Sequence, residues 1–235
     1  MNKEKNMPKL SVLNKKAYLF DLFHTLTGRE STWANLPTTS EFFGIDRMVW
    51  NDLLFNGSYD RLCGREKDEF MIIRGLIDRV KPGVSDATVH EAVRIRKERF
   101  GQALINIPKE SVETLETLKK REKKLGLVSN VDVMEIALWE RSPIAHLFDS
   151  TVKSCYAGYA KPDAEIYEIS MRELGVRPDE AVFIGDGGSD ELAGAKKVGL
   201  TTIMITGIIQ ELWPEKIPDR RKWADYEIVS ITELL

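Results

Sequence analysis

An α/β fold, a parallel sheet flanked by helices, is predicted by three observations. Short apolar runs rich in Val and Ile recur along the chain, helical periodicity fills the intervals between them, and several runs end on a polar, chemistry-bearing residue. The first run, Ala17–Phe20, delivers a lone carboxylate, Asp21, at its tip. Further runs are Lys124–Ser129, Ala181–Gly185 and Thr201–Thr206, with a weaker one at Ser150–Ser154. They alternate little between apolar and polar residues, as strands covered on both faces do. Helical spacing appears at Val112, Leu115 and Leu118, and again at Ile166, Ile169 and Leu174 before Gly175.

The interval from Gly28 to Ile107 breaks this rhythm. It holds no convincing strand, but Phe70, Ile73, Ile77 and Val80 make one apolar helical stripe and Val89, Val93, Phe100 and Leu104 another, separated by Pro82-Gly83. The reading is a helical insertion (28–107) directly after the first strand, with a core formed by 1–27 and 108–235. An insertion at the ligand-binding end of a sheet is placed to cover a site.

The chain's 235 residues suit one domain with an insertion, and 43% hydrophobic residues supply an ordinary core. Lys plus Arg number 34 against 37 Asp plus Glu, a net charge of −3. That balance offers no footprint for nucleic acid or an anionic membrane. The two cysteines, Cys63 and Cys155, lie too far apart for ligand-like spacing, which excludes a cysteine zinc site and argues against a disulfide framework. Met1–Lys16 is basic, but Leu10-Ser-Val-Leu13 is too short for a signal-peptide core, and a cytoplasmic protein, monomer or homodimer, is expected.

Four elements carry the chemistry. Asp21 is followed four residues later by Thr25; Leu127-Val-Ser129-Asn130 ends a strand in a hydroxyl; Lys161 is fixed by Pro162; and Gly185-Asp186-Gly-Gly-Ser-Asp190 sets two acids at a strand-to-helix turn. Together they supply a carboxylate nucleophile, hydroxyl donors, a cation and an acidic pocket. Such a set suits attack on a phosphate, with a metal and the lysine offsetting repulsion between Asp21 and the dianion. Oxygen-only ligands favour magnesium. The last element is neither an EF-hand, because Lys197 stands where the closing Glu belongs, nor a dinucleotide loop, because Asp190 takes the place of the last glycine.

The order and spacing of these elements, from about Ala17 to Thr206, resemble the haloacid dehalogenase (HAD) superfamily. The resemblance implies a Rossmann-like parallel sheet, a helical C1-type cap, an aspartyl nucleophile and, in most members, a magnesium-dependent phosphatase. It implies further that Asp21, Thr25, Ser129 and Lys161 form the catalytic set, and that Asp21, the Phe23 carbonyl, Asp186 and Asp190 hold the metal. The family pattern Asp-x-Asp-x-Thr reads Asp21-Leu-Phe23-His-Thr25 here. Phe23 keeps the carbonyl but lacks the acid/base that protonates the leaving group, a deficit of roughly 10²–10⁴ in rate if nothing replaces it. Family dehalogenases often carry an aromatic residue at this point, but they typically lack the full acidic pair, which here is present. The acid pair is weighted more, because two acids packed without a cation repel each other.

The expected function is therefore hydrolysis of a small phosphorylated metabolite. The alternatives are a 2-haloacid dehalogenase using Asp21, or a weakly catalytic relative that binds without turnover. Asn130, His24, Arg61 and Arg65 are candidate substrate contacts. His24 is also a stand-in for the missing acid/base, with loop packing as its plain role; solvated arginines are the plain reading of Arg61 and Arg65.

Overall fold

The computed structural model describes residues 14–56 and 59–235; most of the basic N-terminal stretch, including Leu10–Leu13, lies outside the described residues. Strand β1 (Ala17–Phe20) is followed by six helices: α1 (Glu30–Trp33), α2 (Thr39–Phe43), α3 (Arg47–Asn56), α4 (Tyr59–Leu62), α5 (Glu69–Ile77) and α6 (Asp86–Ile105). Then come α7 (Lys109–Lys120), β2 (Lys124–Ser129), β3 (Ser150–Lys153), α8 (Ser154–Ala157), α9 (Ala164–Leu174) and β4 (Ala181–Gly185). The chain closes with α10 (Glu191–Lys197), β5 (Thr201–Ile205), α11 (Ile209–Leu212), α12 (Ile217–Arg221) and β6 (Tyr226–Ile228).

The strands form one parallel sheet in the order β3-β2-β1-β4-β5-β6. Strand β1 is central and wholly buried. Its side chains alternate between two cores: Tyr18 and Phe20 pack on one face, Ala17 and Leu19 on the other. This two-sided burial explains why the strands read as unbroken apolar runs.

The topology positions the site. The chain moves outward from β1 through β2 to β3, then returns to place β4 on the other side of β1. Phe20 is in register with Leu127 on one side and Ile184 on the other, so the tips of β1, β2 and β4 lie side by side. Ligands of open α/β sheets bind at such a reversal.

Helices α2, α3, α5 and α6 contribute a third core around Phe43, Trp50, Ile73, Ile77, Val89 and Val93, joined by Met134 from the loop after β2. Helices α5 and α6 start where side chains can take up free amides: Asp68 accepts from Met71 N and Ser85 from Thr88 N. Among the described residues no helix is long and apolar enough to cross a membrane. Cys63 and Cys155 are buried free thiols.

Candidate active site at the tips of β1, β2 and β4

Asp21 leaves β1 still tied to the sheet, its amide donating to Ile184 O at 2.9 Å. Its carboxylate receives Lys161 Nζ at 2.5 Å on one oxygen and Thr25 Oγ1 at 3.3 Å on the other. Lys161 also donates to Glu191 Oε2 at 2.5 Å, so one ammonium bridges two carboxylates. Burial alone lowers a lysine pKa, but Asp21 and Glu191 more than offset it and hold this ammonium above the usual lysine range.

Asn130 grips the Lys161 backbone from both sides, accepting its amide at 2.7 Å and donating to its carbonyl at 2.9 Å. It thereby positions the lysine, a role its expected place among substrate contacts did not include. Ser129, at the tip of β2, is buried, and its hydroxyl makes no hydrogen bond among the described residues. An orphaned hydroxyl beside a strand-end cleft is free to hold a ligand oxygen.

Three acids converge. One carboxylate oxygen from each of Asp21, Asp186 and Glu191 lies within 4.8 Å of the others, and all three residues are buried. Asp186 accepts from Gly188 N at 2.7 Å and from Arg220 at 2.9 Å. Glu191 accepts from Gly187 N at 2.8 Å. Its carboxylate lies so close to Gly185 that a Cβ there would stand 2.2 Å from Oε1; only glycine fits.

Asp190, expected in the acidic pocket, is exposed and outside this group; Glu191 takes the place assigned to it. The cause is the turn between β4 and α10. Gly187, Ser189 and Asp190 all adopt left-handed backbone, which delays the helix until Glu191 and turns that side chain back onto the strand tip. Sequence spacing does not reveal this. The one available signal is an acid opening the small-residue stretch Ala193-Gly194-Ala195, which packs close to the sheet.

Burial, with the charges of Asp21 and Asp186 added and that of Lys161 opposing, pushes Glu191 from its ordinary value near 4.5 up to about 8. In that window the folded state binds more protons than the unfolded state, so the group's contribution to stability is present below about 4.5 and lost as pH rises through about 8. Glu191→Gln removes this titration. In metal-free protein its melting temperature relative to the parent is expected to climb steadily from pH 5 to pH 8; a flat difference contradicts the assignment.

The remaining candidates fall elsewhere. The Phe23 ring packs against Trp33 of α1 and Phe100 of α6, with centroids 5.4 and 5.1 Å away, which docks these two helices onto the loop after β1. His24 lies between Trp33 and Trp213, its Nε2 3.8 Å from Glu30 Oε1. Arg61 is not a free cation for substrate: it is buried and paired with Asp132 at 2.6 Å and Glu135 at 3.4 Å. Arg65 is exposed and pairs with Asp60 at 2.6 Å. Neither arginine is brought to Asp21. A second tie runs from the Tyr59 hydroxyl, on α4, to Asp163, two residues after Lys161.

A parallel sheet with an aspartate and two further acids gathered beside its strand tips, bridged by a lysine, defines a carboxylate-built centre on an α/β fold. The chain belongs to the haloacid dehalogenase-like hydrolase family, whose model matches residues 15–199. It is 32% identical over 104 residues to a glyceraldehyde 3-phosphate phosphatase of Methanothermobacter thermautotrophicus, a match covering 43% of this chain and 45% of that one. The chain spans about half the length of the curated relatives it matches.

Among solved structures it resembles the L-2-haloacid dehalogenase of Xanthobacter autotrophicus, with TM-score 0.65 and 17% identity over 94% of this chain and 96% of that one. It also resembles a HAD family enzyme of Bacteroides thetaiotaomicron solved with magnesium and inorganic phosphate, with TM-score 0.58 and 19% identity over 81% and 94% of the two chains. At these identities the structural likeness speaks for the fold alone.

Proposed function

We propose that this protein is a magnesium-dependent phosphatase that hydrolyses a small phosphorylated metabolite through an aspartyl-phosphate on Asp21, acting in the cytoplasm as a monomer or homodimer. The observation that carries this reading is the convergence of Asp21, Asp186 and Glu191 around one point. Three hard oxygen donors, one of them pushed toward its neutral form by burial and by the two neighbouring acids, fit a small divalent cation. The phosphatase names of the sequence relatives support the same choice.

Asp21, Asp186 and Glu191 would hold the ion, with the Phe23 carbonyl beside them. When bound, it offsets charge on the transferring phosphoryl group. One Asp21 carboxylate oxygen attacks phosphorus and the bond to the leaving oxygen breaks. Lys161 holds Asp21 in line and, with Thr25 and the unpartnered Ser129 hydroxyl, carries charge on the phosphoryl oxygens. Water then attacks phosphorus, inorganic phosphate leaves and the Asp21 carboxylate returns. The insertion 28–107, docked through Phe23, Phe100 and Trp33, acts as the cap that excludes bulk water.

Phe23 offers no proton to the leaving group. Aryl and acyl phosphates are therefore expected to turn over faster than alkyl phosphates. Phe23→Asp should narrow that gap by roughly tenfold or more, while costing about 2–4 kcal/mol as an aromatic contact is replaced by a carboxylate. His24→Ala is the control: if it slows alkyl esters selectively, His24 already supplies the proton. Equal parent rates on both substrate types, unmoved by either change, contradict the argument.

The aromatic residue at 23 also favours a second reading, displacement of halide from a 2-haloacid by Asp21, which needs no leaving-group proton. Phosphate release from a metabolite panel with and without magnesium, run beside halide release from 2-chloropropionate, separates the two. Magnesium-dependent phosphate release supports the first, and metal-independent halide release overturns it. Silence on both panels points to a relative that binds without turnover.

A further inference from the structure

One contact at the acidic centre comes from outside the segment that the family shares. Arg220, on α12, lies beyond the matched residues 15–199. Its Nη1 donates to Asp186 Oδ2 at 2.9 Å and to the Asp186 carbonyl at 3.0 Å. The side chain is only 14% exposed, and its aliphatic stem lies over Gly187. A Cβ at position 187 would stand 2.9 Å from that stem, and the glycine is left-handed, so the turn after β4 is shaped to let the arginine in.

We propose that Arg220 is a positioning residue that fixes Asp186 and holds the magnesium affinity of the site down. The inference rests on the metal-dependent reading above. Three buried acids share two resident cations: Lys161 serves Asp21 and Glu191, and Arg220 serves Asp186. Every acid thus has a basic partner before any ion arrives. A divalent cation drawing on Asp186 shares that carboxylate with a guanidinium and is repelled by it. The arrangement keeps the metal-free centre folded and makes occupancy follow the magnesium concentration rather than saturate.

Loss of a purely structural contact weakens ion binding; loss of a competing charge strengthens it. The test is calorimetric titration of the full-length chain with MgCl₂, for the parent, Arg220→Met, Arg220→Lys and Asp186→Asn, with melting curves at zero and saturating magnesium. Arg220→Met is expected to bind Mg²⁺ roughly tenfold more tightly than the parent, to melt lower without the ion and to gain more on adding it. Arg220→Lys keeps the charge and should stay within about threefold of the parent. Asp186→Asn should lose most of the affinity. Unchanged or weaker binding by Arg220→Met, with parent binding intact and Asp186→Asn impaired, overturns the role of Arg220 and leaves the metal reading standing. If Arg220→Met does not fold, Arg220→Lys decides: binding weakened or strengthened tenfold overturns the charge argument. No heat of binding from any variant overturns both.

Discussion

Asp21→Asn is expected to reduce phosphate release by roughly 10³-fold or more, because an amide of nearly the same shape is a poor nucleophile. The fold should survive. Asp21 is one of three converging acids, and removing its charge leaves Lys161 paired with Glu191 while relieving repulsion on both remaining carboxylates. The melting temperature should therefore stay within a few degrees of the parent or rise. Kinetics and thermal melting on the same preparation check both halves. More than a few per cent residual activity removes Asp21 as the nucleophile. Lost activity with a collapsed melting curve would show that the carboxylate supports the fold instead.

Arg96→Met is expected to have the largest effect on stability. Arg61 and Arg96 reach from α4 and α6 and meet Asp132 and Glu135 in the loop just after Ser129 and Asn130. All four are buried, Asp132 completely. Asp132 also accepts from the amides of Met134 and Glu135, both at 2.9 Å, and Glu135 accepts from Asp132 N at 2.8 Å. Burial would raise the Asp132 pKa, but Arg96 and Arg61 bring it below the usual range; burial and the charge on Asp132 raise that of Glu135.

Deleting Arg96 leaves Asp132 and Glu135 to share Arg61 and strands one negative charge away from water, which costs about 3–5 kcal/mol and lowers the melting temperature by about 10 °C. Adding Glu135→Gln to Arg96→Met should recover part of the loss, since it removes the stranded charge. Urea unfolding of the two variants tests this. A loss under about 1 kcal/mol for Arg96→Met would mean that the cluster is solvated.

Legibility in the sequence follows burial and locality. Strands β1, β2 and β4 could be read because both faces are covered, and Asp21, Ser129, Lys161 and Asp186 because each follows a strand or is fixed by a proline. Strand β6 escaped notice: it is three residues at a sheet edge, pairs only with β5 and carries Glu227. Glu191 was hidden by left-handed turn geometry that residue spacing does not encode.

Partners distant in sequence were hidden most thoroughly. Arg61 reads as an ordinary surface cation until the fold brings Asp132, 71 residues on, against it. Arg220 reaches back 34 residues to Asp186. No local pattern distinguishes either one from a solvated arginine.

Attack by Asp21 on phosphorus is detected most directly by trapping. Protein incubated with acetyl phosphate and magnesium is acid-quenched and reduced with borohydride, and its peptides are mapped by mass spectrometry. Reduction of an aspartyl-phosphate leaves homoserine. That change is expected at Asp21 alone, only when magnesium is present, and not in Asp21→Asn. Modification at another carboxylate, or phosphate release with Asp21 never modified, would contradict it.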